Sequence, residues 1–155
     1  MKRLLSTVTI FAAGLAAMVT ALPAAAQFAK PEDAIKYRQS VMTVMTAHFG
    51  RISAVVQGKV PYDAKATADN AAIVLTMSRL PFTAFVEGSD KGGNTKAKPE
   101  IWKEMDKFQA GGKDLQEQAA KLDAAAKSGN LDAVKAAFGD TGKACKACHD
   151  NFKDK

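Results

Sequence analysis

The chain has 155 residues and a formal net charge of +6 at pH 7. Its length suits a single domain with one hydrophobic core. The positive charge is too small and too scattered along the sequence for a nucleic-acid-binding protein. It suits an acidic protein partner or an anionic membrane surface instead.

Residues 1–26 have the pattern of a secretory signal peptide. Two basic residues precede a mostly apolar stretch over residues 4–22, and Ala24 and Ala26 supply the small residues of an A-x-A cleavage site. A retained membrane anchor is the alternative, since the stretch is long enough to span a bilayer. Because the A-x-A end favours cleavage after Ala26, we expect an exported domain over residues 27–155.

The rest of the chain contains four segments with helical periodicity, and none that alternates like a strand. They run from Pro31 to Gly58, from Asp63 to Ser78, from Pro99 to residues 128–130, and from Leu131 to Phe152. Short turns between such segments favour antiparallel neighbours. We therefore predict an all-α, antiparallel up-and-down four-helix bundle, a fold that holds cofactors between facing helices.

Each predicted helix has one face that is expected to point into the bundle. These faces repeat at a spacing of three and four residues. By helix, the residues are Ile35, Arg38, Met42, Met45, Phe49, Ile52 and Val56; Ala64, Ala68, Ala71 and Leu75; Ile101, Met105, Phe108, Gly112, Leu115, Ala119, Leu122 and Ala126; and Leu131, Val134, Phe138, Thr141, Cys145, Cys148 and Phe152.

A Cys-x-x-Cys-His motif at Cys145, Cys148 and His149 contains both cysteines of the chain and one of its two histidines. This motif is the attachment signature of c-type haem. Its two thiols form thioethers with the porphyrin, and its histidine nitrogen is an axial ligand of the iron. We predict one haem c per chain, covalently bound through Cys145 and Cys148, with His149 as the metal ligand.

A redox Cys-x-x-Cys and a structural zinc site are the alternatives for this motif. The redox motif usually lies at a helix N-terminus after a strand, where the helix dipole lowers a thiol pKa. Here the motif lies near the end of a predicted helix. A zinc site needs two further ligands, which His48 alone cannot supply.

Arg38 lies on the apolar face of the first predicted helix, where a charge is costly unless it is paired. No carboxylate on that face compensates it. We predict that Arg38 binds a haem propionate through both prongs of its guanidinium, and that Gln39 adds a hydrogen bond. The alternative is that Arg38 extends to solvent near the start of the helix.

Met42 and Met45 follow on the same helix face and are candidates for the other side of the iron. A methionine sulfur at the sixth position would make the iron low-spin, while core packing is the alternative for either residue. Phe82 and Phe85 are predicted to wall the same pocket. His48 lies off this face and is predicted to be a surface or subunit-contact residue.

With these features the sequence resembles the class II c-type cytochromes, and cytochrome c′ in particular. The resemblance covers the whole mature chain. It is carried by Lys-Pro-Glu-Asp-Ala from Lys30, Tyr37-Arg38-Gln39-Ser40, His48-Phe49-Gly50-Arg51, Pro61-Tyr62-Asp63, Pro99-Glu100-Ile101-Trp102, Ala137-Phe138-Gly139-Asp140 and Cys145-Lys146-Ala147-Cys148-His149-Asp150.

This resemblance implies a periplasmic four-helix haem protein, often a homodimer formed through its first two helices. The apolar line of Val41, Val44, Ile52 and Val55 suits that contact. Many cytochromes c′ have a five-coordinate, high-spin iron that binds nitric oxide and carbon monoxide. In them an apolar residue covers the other face of the haem, and it corresponds to Met42. The implied function is therefore electron transfer, gas binding or both. The alternative is a low-spin carrier with Met42 as the sixth ligand.

Two further expectations concern catalysis and the proximal face. A weak peroxidase is disfavoured, because the sequence offers no distal His–Arg pair. Lys153 stands where an arginine is frequent in cytochromes c′. Lysine keeps the charge but not the planar, forked guanidinium, so the role of that arginine does not carry over to this chain.

Overall fold

The structure, a computed structural model, describes residues 27–155, and the predicted signal peptide lies outside the described residues. The described chain is helical apart from its connections. Its α-helices are α1 (Pro31–Val56), α2 (Ala64–Met77), α3 (Glu100–Lys103), α4 (Met105–Lys127) and α5 (Leu131–Phe152), with a 3-10 helix at Pro81–Ala84.

The four long helices form the predicted bundle. α1 lies against α2, α2 against α4, and α4 against α5, which closes the bundle on α1. The all-α fold and the four-helix architecture are therefore confirmed. None of the helices formed by residues 27–155 combines the length and the apolar character that a membrane span requires.

Side-chain caps determine where two of these helices begin. The Asp63 carboxylate accepts a hydrogen bond from the Ala66 amide at the start of α2. The Asn130 side chain accepts from the amides of Asp132 and Ala133 at the start of α5. Such caps satisfy amides that have no partner within the helix.

The third predicted helix is interrupted, so its prediction as one continuous helix from Pro99 is wrong at Glu104. That residue has φ −122° and ψ 44°, outside the helical region. The single turn of α3 before it buries Ile101, and the indole of Trp102 donates to the carbonyl of Val86 at 3.1 Å. The break accommodates this turn against the 3-10 helix and the loop that follows it.

The buried face of α2 differs from the prediction only in part, since Ala71 is buried and Ala68 and Leu75 are partly buried as expected. It comprises Thr67, Ala71 and Val74, whereas Ala64 is exposed. Thr67 can be buried because its hydroxyl donates to the carbonyl of Asp63 at 2.7 Å. In a helix rich in alanine, small side chains mark the inner face only weakly.

Buried apolar residues form two clusters. The central cluster lies between the long helices and comprises Met45, Ile52, Ala71, Val74, Leu115, Ala119, Leu122, Ala126, Val134 and Ala144. The end cluster comprises Ile101, Phe108 and Phe152. Phe82 packs against both clusters and therefore lies where they meet.

Candidate haem-binding site

The two cysteines of the motif lie on one side of α5, toward its end. Cys145 packs against the central cluster, and Cys148 packs against the end cluster. Both side chains are partly buried, whereas His149 is exposed. The two thiols therefore contact the two apolar clusters that meet at Phe82.

The electrostatic environment of the thiols argues against the redox alternative. Burial raises the pKa of both thiols. At Cys148 the neighbouring Cys145 raises the pKa as well, by a smaller amount than burial does. Redox-active cysteines need a lowered pKa, because the thiolate is the nucleophile. These two cysteines are instead protonated side chains held against apolar surface.

The zinc alternative finds no ligand set in the described part of the chain. Among residues 27–155, no group of three or more His, Cys, Asp and Glu side chains is close enough together to hold a metal ion. His48 lies elsewhere, on α1 beside α2, where its Nδ1 is 2.8 Å from the amide oxygen of Asn70. It does not join the two cysteines.

Two adjacent glycines on α4 lie close to Cys148 and Phe82. A Cβ at Gly111 would lie 3.9 Å from the sulfur of Cys148, and a Cβ at Gly112 would lie only 2.6 Å from the ring of Phe82. Without these side chains there is room next to the sulfur and for an aromatic ring against α4. The partly buried thiols, the open flank of Cys148 and the aromatic wall together fit a flat apolar group attached at Cys145 and Cys148.

The imidazole of His149 completes the motif. Desolvation, and then the positive charge of Lys153, lower its pKa, while Asp150 acts in the opposite direction. The neutral ring is therefore favoured at pH 7, and only a neutral imidazole nitrogen can coordinate a metal.

Arg38 is buried, with 3 % of its surface exposed, which excludes the alternative in which it extends to solvent. Its Nη1 donates to the carbonyl of Ala84 and the hydroxyl of Ser89 at 3.0 and 2.8 Å. Its Nη2 donates to the carbonyl of Ser89 and the hydroxyl of Thr95 at 2.6 and 2.9 Å. Three of these bonds hold the loop between the 3-10 helix and α3, and the fourth holds Ala84 at the end of the 3-10 helix, so the propionate contact remains a prediction.

Aromatic rings complete the surroundings of this guanidinium. Its central carbon lies 4.4 Å from the centroid of Phe85 and 5.8 Å from that of Trp102. Burial lowers the pKa of Arg38 to about 10, which still leaves the group charged at pH 7. None of the ion pairs formed by residues 27–155 includes it.

The other predicted site residues of α1 follow Arg38 along the helix. The amide nitrogen of Gln39 donates to the carbonyl of Asn94 at 3.3 Å. Met42 is partly buried and packs against the central cluster, of which Met45 is a member. A cavity of about 40 Å³ lies next to Cys145, and its lining is Met45, Thr46, Phe49, Val74, Leu115, Thr141 and Cys145.

Sequence reasoning missed the partners of Arg38. Ser89 and Thr95 lie in the connection between the second and third predicted helices, to which the sequence assigns no role, and Trp102 enters the sequence analysis only within a family segment. The available signal was the buried arginine itself, since its donors require acceptors. The nearest source of such acceptors was the polar connection between the second and third predicted helices.

Comparisons with known proteins show which family the chain belongs to. The sequence matches the cytochrome c′ family over residues 33–153. It is 53 % identical over 129 residues to cytochrome c′ of Rubrivivax gelatinosus, which covers 83 % of this chain and 100 % of the relative. It is 49 % identical over 129 residues to cytochrome c′ of Alcaligenes xylosoxydans xylosoxydans, which covers 83 % of this chain and 99 % of that protein.

Solved structures of the same proteins share the fold. Cytochrome c′ from Rubrivivax gelatinosus matches with a TM-score of 0.80 at 52 % identity, covering 83 % of this chain and 100 % of the other. A nitric oxide complex of a mutant of cytochrome c prime from Alcaligenes xylosoxidans matches with a TM-score of 0.77 at 49 % identity, covering 83 % and 98 %.

A Cys-x-x-Cys-His motif near the end of the last helix of a four-helix bundle defines a class II c-type cytochrome. Within that class, the chain belongs to the cytochrome c′ family. Proteins of this family bind haem c, and Cys145 and Cys148 fit its covalent attachment. The resemblance seen in the sequence is confirmed.

Proposed function

We propose that the protein is a periplasmic haem protein that binds nitric oxide and carbon monoxide at a five-coordinate iron and also transfers electrons. It acts as a gas-binding and redox protein and not as an enzyme. The observation that carries the proposal is the attachment motif, whose two thiols are partly buried against the two apolar clusters and have raised pKa values.

Each residue of the motif has a defined task. Cys145 and Cys148 hold the porphyrin by thioether bonds, and His149 offers a neutral imidazole nitrogen to the iron. Haem, when bound, supplies an iron centre that changes oxidation state by one electron and binds small gas ligands. The apolar side chains packed against the two cysteines would exclude water from one side of the group.

Met42 is proposed to cover the face of the haem opposite His149. Its thioether has no hydrogen-bond donor, so this side chain cannot stabilise bound dioxygen by donating a hydrogen bond. Nitric oxide and carbon monoxide depend less on such a donor. A mutant of a cytochrome c prime of known structure, at 49 % identity, forms a nitric oxide complex, which supports the same ligand class here.

The absorption spectrum of the purified protein tests the proposal. We expect a high-spin spectrum in the reduced form and rapid binding of added carbon monoxide. A low-spin spectrum that disappears in Met42→Ala would contradict the five-coordinate iron and identify Met42 as the sixth ligand of an electron carrier.

Truncation of Met42 also tests its role as a cover. If its side chain obstructs the iron, Met42→Ala should accelerate carbon monoxide binding about tenfold, the effect of lowering a barrier by ~1.4 kcal/mol. Met77→Ala is the matched control, because Met77 is a partly buried methionine on α2 that packs against the same cluster. Equal rates in both variants would contradict the role of Met42.

Location and assembly are proposed on separate grounds. The pattern of residues 1–26 supports export and cleavage after Ala26, and the mass of the purified protein should then correspond to a chain that begins at Gln27. Of the apolar line predicted for a homodimer contact, Val41 and Ile52 are buried inside the protein and cannot take part. The support for a homodimer through α1 and α2 is therefore two exposed apolar side chains, Val44 on α1 at 41 % and Val60 in the following connection at 46 %.

A further inference from the structure

We propose that Arg38 is a positioning residue for the end of α5 that bears His149, and that it acts through Thr95 and the segment 95–98. The inference rests on the proposed attachment of haem at His149. It does not depend on which group, if any, binds the sixth position of the iron.

The first link joins α1 to the loop before α3. The guanidinium of Arg38 donates to Ala84, Ser89 and Thr95, which are 46 to 57 residues away in sequence. These acceptors are neutral, so their geometry and number compensate for the desolvation of the charge. Loss of one acceptor leaves a buried cation with an unmet donor, which is costly. The loop is therefore held firmly in this arrangement.

The second link is the hydroxyl of Thr95. Its Oγ1 accepts from Nη2 of Arg38 at 2.9 Å and from the backbone amide of Ala97 at 3.2 Å. One oxygen atom therefore connects the buried charge to the backbone two residues further on. That backbone runs directly into contact with α5.

The third link pairs this segment with the C-terminal end of the chain. The Lys98 amide donates to the carbonyl of Phe152 at 3.0 Å, and the Asp154 amide donates to the carbonyl of Lys96 at 2.9 Å. These two hydrogen bonds form an antiparallel bridge between Ala97 and Lys153. Phe152 is buried against Phe108, so the bridge is anchored to the end cluster.

The last link reaches the haem ligand. The Lys153 amide donates to the carbonyl of His149 at 3.1 Å, which closes the final turn of α5. Because His149 is exposed, few neighbouring side chains restrain its ring. The backbone of the last turn therefore determines where its imidazole lies. A continuous set of hydrogen bonds leads from Arg38 to that turn.

Thr95→Val tests the inference, because it removes the shared oxygen atom, keeps the shape of the side chain and leaves the charge of Arg38 in place. In the haem-loaded protein we expect the amides of Lys98 and Asp154 to exchange with deuterium about tenfold faster, the effect of losing one to two hydrogen bonds. We also expect the midpoint potential of the haem to shift, since the imidazole is less well oriented.

Two further variants serve as controls. Thr95→Ser retains a hydroxyl and should keep wild-type exchange and potential. Thr76→Val removes a hydroxyl that bonds only within α2, to Ala72, and should change neither quantity.

Unchanged exchange at Lys98 and Asp154 in Thr95→Val would overturn the inference. So would faster exchange with an unchanged potential, because Thr95 would then serve the loop alone. If Arg38→Gln shifts the potential and Thr95→Val does not, Arg38 acts on the haem directly. A low-spin spectrum of the unmodified protein would contradict the proposed five-coordinate iron but would leave this comparison intact, because both readouts apply to either spin state.

Discussion

At the scale of a single residue, the shape of the Arg38 guanidinium matters more for stability than its charge does. Its four hydrogen bonds use the forked geometry of the guanidinium. Lysine keeps the charge but has one nitrogen and no planar fork. We expect Arg38→Lys to lower the free energy of unfolding by about 2–4 kcal/mol, because several buried acceptors lose their donor. Denaturant unfolding of the haem-loaded protein measures this loss.

The matched control is Arg79→Lys, since Arg79 is exposed. Its effect should stay within about 0.5 kcal/mol of zero, as for ordinary surface substitutions. Equal losses in the two variants would mean that the observed bonds of Arg38 do not contribute to stability.

Gly112 provides a second prediction at the residue scale. A Cβ there would lie 2.6 Å from the Phe82 ring, and the ring must move because α4 cannot yield. We expect Gly112→Ala to destabilise the protein by about 1–3 kcal/mol through overpacking. Thermal or denaturant unfolding would detect this change.

Gly139 on α5 supplies the contrasting case. A Cβ there would meet no atom within 4 Å, so Gly139→Ala should stabilise the protein by about 0.5–1 kcal/mol through helix propensity alone. If Gly112→Ala is also stabilising, the close approach of Phe82 is not a constraint. The double variant with Phe82→Leu should recover part of the loss, because the smaller side chain relieves the contact.

At the scale of the elements, the start of α5 matters because this helix carries the haem motif at its other end. Asn130 caps it by accepting from two amides, at 2.9 and 3.0 Å. Asn130→Ala should cost about 1 kcal/mol of stability, whereas Asn130→Ser, another good cap, should cost much less. Equal losses from both substitutions, measured by denaturant unfolding, would show that the cap is not what stabilises this end.

The sequence predicts that the four long helices exist. It predicts their buried faces and their continuity only in part. Apolar spacing identified the inner faces of α1, α4 and α5, since large side chains mark them clearly. It was only partly right for α2, where Ala71 is buried as predicted but the hydrogen-bonded Thr67 is also buried and Ala64 is exposed. It also missed the break at Glu104, because the break depends on contacts of Trp102 with a loop that precedes it by 16 residues.

At the scale of the whole molecule, one part of the candidate site could be predicted from the sequence and another part could not. Cys145, Cys148 and His149 are readable because haem attachment requires them within five consecutive residues. The surroundings of Arg38 are not readable, because its acceptors are brought in by the fold from more than 45 residues away. The sequence shows that Arg38 lacks a partner on its own helix face, and it suggests a propionate. It does not reveal the protein acceptors that the structure supplies.

Assembly is the last property at this scale, and one side chain can test it. Val44 is 41 % exposed on the outer side of α1, next to the buried Val41 side of the helix. If a second copy of the chain covers this surface, a charge there must be buried without a partner. We expect Val44→Lys to raise the dissociation constant of the homodimer at least about tenfold, equivalent to ~1.4 kcal/mol. Sedimentation equilibrium over a range of protein concentrations measures this constant.

The control is Ala136→Lys, which places the same charge on an exposed position of α5. That variant should dimerise as the unmodified protein does, because the proposed contact involves only α1 and α2. The haem spectrum and carbon monoxide binding should be unchanged in both variants, since neither position touches the two clusters that hold the cysteines. A monomer at every concentration in the unmodified protein would contradict the homodimer. A dimer unaffected by Val44→Lys but broken by Ala136→Lys would move the contact to the exposed side of α5.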